Sequence, residues 1–307
     1  MLGQIVEVTG EGRHLSLERG FLKISMGSDV LGKVPLDDIE AVIVAHPAAS
    51  LTTQVLAALA QRSVPVVISN EAFRPCSCLL PIDGHFAQGK RIEAQAEVSL
   101  PVRKRLWADI IKAKIKAQAA ALEHTGKDAS LFYTMSNAVR SGDVDNLEAQ
   151  AARRYFPEMF GKNFYRYRDG GGVNAALNYG YTVLRAATAR AIVANGLHPS
   201  LSLKHQSAGE ALRLADDLME PFRPAVDIIA YQMSQVEDFS ELDVNMKRQL
   251  SAVLHADYET EDALSPLSNV LNRMCSSLAQ VFTGERAKIW LPVSSIPVSE
   301  KDEAFMD

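Results

Sequence analysis

Two carboxylates and one imidazole, widely spaced along the chain, have the residue types for phosphoryl chemistry: Glu148, His205 and Glu220. Such a set can hold Mg2+ or Mn2+ and leave coordination positions open for a substrate phosphate. The separations of 57 and 15 residues are not those of a local metal motif, so only the fold can bring the three together. Asp217 lies three residues before Glu220, and on a helix the two share a face. Leu214, Leu218 and Phe222 make that neighbourhood apolar. Two carboxylates crowded there repel each other and resist desolvation, and a divalent cation relieves both effects. Plainer readings stand beside these. Asp217 can pair with Arg213, Asp145 can cap a helix with Glu148 at its third position, and His205 can be a solvated loop histidine, as can His198.

Basic and aromatic residues interleave around the candidates: Arg153, Arg154, Lys162, Tyr165, Arg166, Tyr167, Arg168, Lys204 and Arg223. That mixture suits a phosphate backbone with exposed bases. The chain as a whole is acidic, with 32 Lys and Arg against 37 Asp and Glu among 307 residues and a net charge of −5. A nucleic-acid surface would therefore be local. Residues 90–116 hold eight basic and three acidic side chains, whereas residues 237–307 hold thirteen acidic and six basic ones. Gly170-Gly171-Gly172 lacks a following Lys-Ser or Lys-Thr, so it makes a weak nucleotide signal. The chain has no Gly-x-Ser-x-Gly elbow of a serine hydrolase.

The elements that must position these residues fall into two parts. Residues 5–8, 14–17, 21–24, 34–36 and 41–44 read as short strands, separated by Gly10, Gly12 and Gly20 at turns. Residues 52–61 read as a short helix and residues 64–68 as a further strand. From Pro101 the apolar period becomes helical, with a stripe of Leu106, Ile110, Ile111 and Ile115 and lysines on the other face. Residues 174–194 end at Gly196, placed as a helix stop, and residues 264–282 start at Ser265-Pro266 and stop at Gly284. The expected fold class is α+β multidomain. It comprises a mainly-β domain over residues 1–84, a linker over residues 85–100 and an all-α catalytic domain over residues 101–307, with a frayed tail from Ser294.

Apolar residues are 47% of the chain, ample for a packed core, and no apolar run approaches the ~18 residues of a membrane span. Three cysteines, an odd number, argue against a disulfide framework. Cys76-Ser77-Cys78 is too tightly spaced for a zinc knuckle, so buried apolar thiols are expected. With no secretory signal visible, the expected compartment is the cytoplasm.

The stretch from Gly196-Leu197-His198-Pro199 to His205, followed by Leu214-Ala215-Asp216-Asp217-Leu218-Met219-Glu220-Pro221-Phe222-Arg223-Pro224, resembles the signature of the CRISPR-associated adaptation integrase. This family is the universal spacer-acquisition endonuclease, and the resemblance is closest to the short form of type II systems. It runs from residues 14–19 to the helical C-terminus. It implies an N-terminal β-domain that forms a homodimer and a C-terminal helical catalytic domain. It also implies a Mg2+ or Mn2+ site at Glu148, His205 and Glu220, with Asp217 as a further acidic member of the catalytic set. Many members have glycine where Ser202 stands. The implied reaction is insertion of a short double-stranded DNA with 3′ ends at the boundary of CRISPR repeat DNA, with hydrolysis when water is the nucleophile. The implied partners are a small ferredoxin-like protein bridging two dimers and, in type II systems, the RNA-guided effector nuclease. A metal-dependent repair nuclease and a catalytically silent DNA-binding scaffold are the competing expectations.

Overall fold

Alternating apolar residues fold the described part of residues 4–79 into eight strands, one α-helix and one short 3-10 turn. The computed structural model describes residues 4–71, 75–167, 170–205, 210–236 and 239–298. Strands β1 (Gln4–Val8), β2 (Arg13–Glu18), β3 (Phe21–Met26), β4 (Asp29–Pro35), β5 (Ile39–Val44), β6 (Ser50–Leu51), β7 (Val66–Ser69) and β8 (Pro75–Leu79) form two four-stranded sheets. One has the order β4-β3-β2-β6 and is antiparallel except for the parallel β2–β6 pair. The other has the order β1-β5-β7-β8, with β1, β5 and β7 parallel and β8 antiparallel at its edge. Helix α1 (Thr53–Gln61) provides the crossover before β7, and the Thr52 hydroxyl caps it by accepting from the Val55 amide at 3.3 Å.

Strand β5 is buried on both faces, which explains its unbroken apolar run of residues 41–44. Val42 and Val44 point into the β-domain core with Val6, Val8, Leu15 and Leu22. Ala41 and Ile43, joined by Val67, point the other way into the core of the helical region. The period-2 alternation of one strand therefore joins the two parts of the molecule.

The helical region comprises α2 (Gln88–Glu97), α3 (Leu100–His124), α4 (Ser130–Ala138), α5 (Leu147–Phe160), α6 (Val173–Ala194), α7 (Arg213–Leu218), α8 (Arg223–Val236), α9 (Val244–Ser251) and α10 (Leu267–Phe282). A short antiparallel pair, β9 (Asp257–Glu259) and β10 (Leu264–Pro266), interrupts it; Ser265 and Pro266 end β10, and Pro266 is also the cap residue from which α10 starts, as the sequence implied. A mainly-β N-terminal part followed by a helical one is the fold class that the hydrophobic periods imply. The stretch expected as a linker contains α2, which docks on the loop after α6. Residues 294–298, expected to fray, are tied down by the Val298 amide donating to the Asp257 carbonyl at 2.9 Å, while residues 299–307 lie outside the described residues. Of the thiols expected to be buried, only Cys275 is. Cys76 is exposed and Cys78 half-buried, because both lie on the edge strand β8. Among the described residues no helix is long and apolar enough to cross a membrane.

Helices α3 and α6 form the centre of the helical region, and α8 packs on both. At Gly180 of α6 an added Cβ would stand 2.4 Å from Val226 Cγ1 on α8 and 3.4 Å from Leu250 Cδ2 on α9. Gly→Ala ordinarily favours a helix by ~1 kcal/mol. Here overlap with a stiff β-branched side chain reverses the sign. Gly180→Ala is expected to destabilise the protein by roughly 1–3 kcal/mol in urea unfolding. It should cost little when added to Val226→Ala. A stabilised Gly180→Ala would mean that the helices do not pack this closely.

Candidate active site

Glu148 enters the site from the first turn of α5, and the cap of that helix sets its position. Asp143, buried and with a left-handed backbone (φ 49°), accepts from the Leu147 amide at 2.8 Å and from the Glu148 amide at 3.1 Å. Capping was expected from Asp145. That carboxylate instead pairs with Arg140, at 2.8 Å from Nε and 2.6 Å from a terminal guanidinium nitrogen. The cap lies two residues further upstream because Asn146 itself takes a left-handed conformation (φ 53°), which turns the chain into the helix.

His205 lies at the end of a loop held from two sides. From α2, Gln95 donates to the carbonyls of His198 at 3.0 Å and Leu201 at 2.8 Å and accepts from the His198 amide at 2.8 Å. Arg91 of the same helix donates to the Asn195 carbonyl at 2.9 Å. The ring of His198 is committed to this loop, with its Nδ1 accepting from the Ser200 amide at 3.2 Å. From the other side comes Asp217, which is fully buried. Its Oδ2 accepts from the amides of Leu203 at 2.6 Å and Lys204 at 3.1 Å. Its Oδ1 accepts from the His205 amide at 3.4 Å and meets the His205 ring Nδ1 at 2.5 Å. Ser202 donates its hydroxyl to the His205 carbonyl.

Asp217 therefore does not pair with Arg213. It places His205 by ring and backbone together, and a carboxylate acceptor at Nδ1 fixes the proton there and leaves Nε2 for a ligand or a proton. The Asp217 hydrogen bond raises the pKa of His205 above the usual histidine value against the opposing effect of burial, and the charges of Glu220 and Glu148 add to the rise. Trp107 of α3 packs edge-on against the ring, with centroids 5.8 Å apart. Asp216 points elsewhere and forms a two-point ion pair with Arg185, at 2.7 Å for each contact.

Glu220 lies in a tight turn (residues 220–222) between α7 and α8. Pro221 has no amide hydrogen to continue α7, so the chain tightens there. The side chain is only 4% exposed. Burial pushes its pKa up, but Arg223 and Lys114 outweigh that and hold it below the ordinary carboxylate value. The Lys114 ammonium lies 2.6 Å from Glu220 Oε2 and 2.8 Å from Glu148 Oε1. Arg223 Nε lies 3.3 Å from Glu220 Oε1, and its guanidinium stacks 4.8 Å from the Tyr181 ring. Separate stretches of chain thus bring two carboxylates onto one ammonium, and a third places an imidazole within reach of both carboxylate charges.

Sequence reading missed Lys114 because it placed the lysines of α3 on the outer face. The signal was present: Lys114 follows Ile110 by four residues and Ile111 by three, on the apolar stripe itself. The set of two carboxylate oxygens and an imidazole nitrogen suits a hard divalent cation. The gap between Glu148 and Glu220 already attracts positive charge. Among the described residues no three His, Cys, Asp or Glu side chains are closed into a metal-holding cluster, and the two glutamates close on Lys114 instead.

The basic candidates separate into two groups. Arg153, Arg154, Lys162 and Lys204 are exposed, as are Tyr165 and Tyr167. Arg166 turns inward, donating to Asn174 Oδ1 at 3.1 Å and Asn178 Oδ1 at 2.6 Å on α6, and Arg223 is engaged with Glu220. Arg168 lies outside the described residues.

Behind Arg223 lies a buried carboxyl that sequence reading did not single out. Asp227 accepts from the Tyr181 hydroxyl at 2.5 Å, with Tyr155, Arg223 and Arg166 as its other polar neighbours. Burial raises its pKa from 3.8 to about 6, against the lowering effect of those neighbours. In the folded protein it thus holds a proton that the unfolded chain releases. Its contribution to stability is complete below about 4 and is lost as pH rises through about 6. The loss is on the order of 3 kcal/mol at most. Asp227→Asn is expected to flatten this part of the stability–pH profile between pH 4 and pH 7. Chemical unfolding across that range checks it, and an unchanged slope would contradict it.

The family model described as "CRISPR associated protein Cas1" matches residues 6–263. A CRISPR-associated endonuclease Cas1 from Neisseria meningitidis serogroup C (strain 8013) is 36% identical over 294 residues, covering 94% of this chain and 95% of the relative. Two solved structures share the fold. A casposase bound to integration product has a TM-score of 0.76 at 21% identity and 98% coverage of both chains. A Cas1 protein from Thermotoga maritima has a TM-score of 0.74 at 15% identity, covering 97% of this chain and all of that one. With a family match across both the strand-rich and the helical parts, and a relative aligned over nearly its whole length, the chain belongs to the CRISPR-associated Cas1 family.

Proposed function

We propose that the chain is a metal-dependent DNA integrase and endonuclease of CRISPR adaptation, inserting short DNA duplexes at a repeat boundary. The observation that carries this reading is the meeting of Glu148 from α5 and Glu220 from the turn after α7 on one ammonium, with the His205 ring close enough to feel both carboxylate charges. The Cas1 relative named an endonuclease and the casposase bound to integration product agree with it.

Glu148, Glu220 and His205 Nε2 would hold Mg2+ or Mn2+. The bound cation would supply Lewis-acid activation of a phosphodiester and of the attacking hydroxyl. In the joining step the 3′-oxygen of the incoming duplex forms a bond to phosphorus, and the bond from phosphorus to the 3′-oxygen of the repeat breaks. The attacking hydroxyl gives up a proton, and the departing oxygen gains one. With water as nucleophile the same displacement is hydrolysis. Asp217 keeps the His205 ring oriented and its Nδ1 protonated throughout. Arg223 holds Glu220 as a carboxylate.

Exposed Arg153 and Arg154 follow Glu148 on its own helix by roughly 8 Å of rise. With Lys162, Tyr165, Tyr167 and Lys204 they would hold the duplex, Arg168 being proposed with them, whereas the inward bonds of Arg166 to Asn174 and Asn178 and the pairing of Arg223 with Glu220 take those two out of the set. The β-domain is the proposed homodimer surface. Strand β4 is an unpaired sheet edge, and Phe21, Met26, Val30 and Leu31 on β3 and β4 are exposed apolar side chains. The small ferredoxin-like protein bridging two dimers, the type II effector nuclease and a cytoplasmic location belong to the same reading.

A labelled duplex with 3′-hydroxyl ends, incubated with the protein, its small partner and a plasmid repeat array, tests it. Joining at the repeat boundary is expected with Mn2+ or Mg2+ and not with EDTA. His205→Ala should reduce joining by ~10²-fold or more while DNA binding and folding persist. A His205→Ala protein that joins like the wild type would remove the site. Cutting without joining would point to a repair nuclease, and binding with neither to a scaffold.

A further inference from the structure

Lys114 is a poor choice for packing and a demanding one electrostatically. Its neighbours one turn away on α3, Ile110, Ile111, Ala117 and Gln118, are all buried. The lysine side chain is 11% exposed. The Glu148 and Glu220 carboxylates flank its ammonium and compensate the charge where water does not reach it. Arg223 meets Glu220 only on the opposite oxygen. Lys114 is thus the cation that contacts both glutamates, at 2.8 and 2.6 Å, among the described residues. Those contacts put its charge in the gap where a divalent ion shared by the same two carboxylates would lie.

We propose that Lys114 is the resident counter-ion of this site, occupying the divalent-cation position in the metal-free protein and leaving it when the cation binds. The inference rests on the metal reading given under Proposed function. Without a positive charge in that gap, two largely buried carboxylates face each other uncompensated and the metal-free protein loses stability. With the ammonium there, the carboxylates remain placed, and an incoming Mg2+ or Mn2+ has to displace one positive charge before it gains two ligands. Lys114 therefore raises the cation concentration at which the site loads. A lysine in a merely structural ion pair would remain in place and leave that concentration unchanged.

The test measures Mn2+ binding to the DNA-free 307-residue chain by electron paramagnetic resonance of free Mn2+, alongside melting temperature in EDTA and in Mn2+. Lys114→Met keeps the side-chain length and removes the charge. It is expected to melt lower in EDTA, to bind Mn2+ more tightly by roughly tenfold or more, and to gain more melting temperature from Mn2+ than the wild type does. His205→Ala added to it should remove the gained affinity, which places that affinity at this site. If Lys114→Met does not fold, Lys114→Gln serves, since its amide can still donate to one carboxylate without charge. Unchanged or weaker Mn2+ binding in the variant, with the wild type binding, would overturn the counter-ion role and leave the metal reading intact. Absence of Mn2+ binding in both proteins would overturn the metal reading itself and the inference with it.

Discussion

Two glutamates cannot face each other inside a protein without a positive charge between them, and the candidate site is built around that constraint. Removing carboxylates from water costs several kcal/mol per ion after relaxation, and mutual repulsion adds to the cost. Lys114 and Arg223 neutralise Glu220 from two sides, and Lys114 also serves Glu148. The site thus stores an affinity for cations. The same electrostatics that stabilise an ammonium there would favour a divalent ion, which carries twice the charge and takes several oxygen or nitrogen ligands.

The surrounding structure keeps that arrangement in register. Helix α3 carries Lys114 and Trp107 on its buried face, so the ammonium and the wall beside His205 move as one element. Asp143 fixes the start of α5 and with it Glu148. Asp217 spends its oxygens on the His205 ring and on three consecutive amides. Gln95 of α2 holds the same loop from the far side, over 100 residues away in sequence. Histidine placement thus rests on a carboxylate and an amide that would not touch the substrate. Deeper still, Tyr181 links the guanidinium of Arg223 to the carboxyl of Asp227.

Much of the fold was legible because hydrophobic period is a local property. Strands β1, β2, β3 and β5, helix α1 and the long helices α3, α6 and α10 follow from spacing alone, whereas β4 was read only at its last two residues. Short elements whose reason lies in distant partners were not legible. Helix α2 has few apolar residues, and its bonds to residues 195–201 together with its packing on α10 hold it. Glu148, His205 and Glu220 were named as candidates through a family signature, but their surroundings were not legible. Asp217 and Glu220 look like one helical face at a spacing of three. Pro221 ends that regularity and sends one carboxylate to the histidine loop and the other to Lys114. Likewise, Arg213 was a sequence neighbour of Asp217, whereas its partners come from residues 203–205. Lys114 was counted with its solvated neighbours because lysine is so seldom buried, although its position on the stripe of α3 marked it out.

Anomalous diffraction from crystals of the protein soaked in Mn2+ tests the central claim most directly. One strong peak is expected between the carboxylates of Glu148 and Glu220 and within ligand distance of His205 Nε2. A peak at another place in the molecule, or none at this one with Mn2+ in excess, would contradict a single cation site built by these three residues.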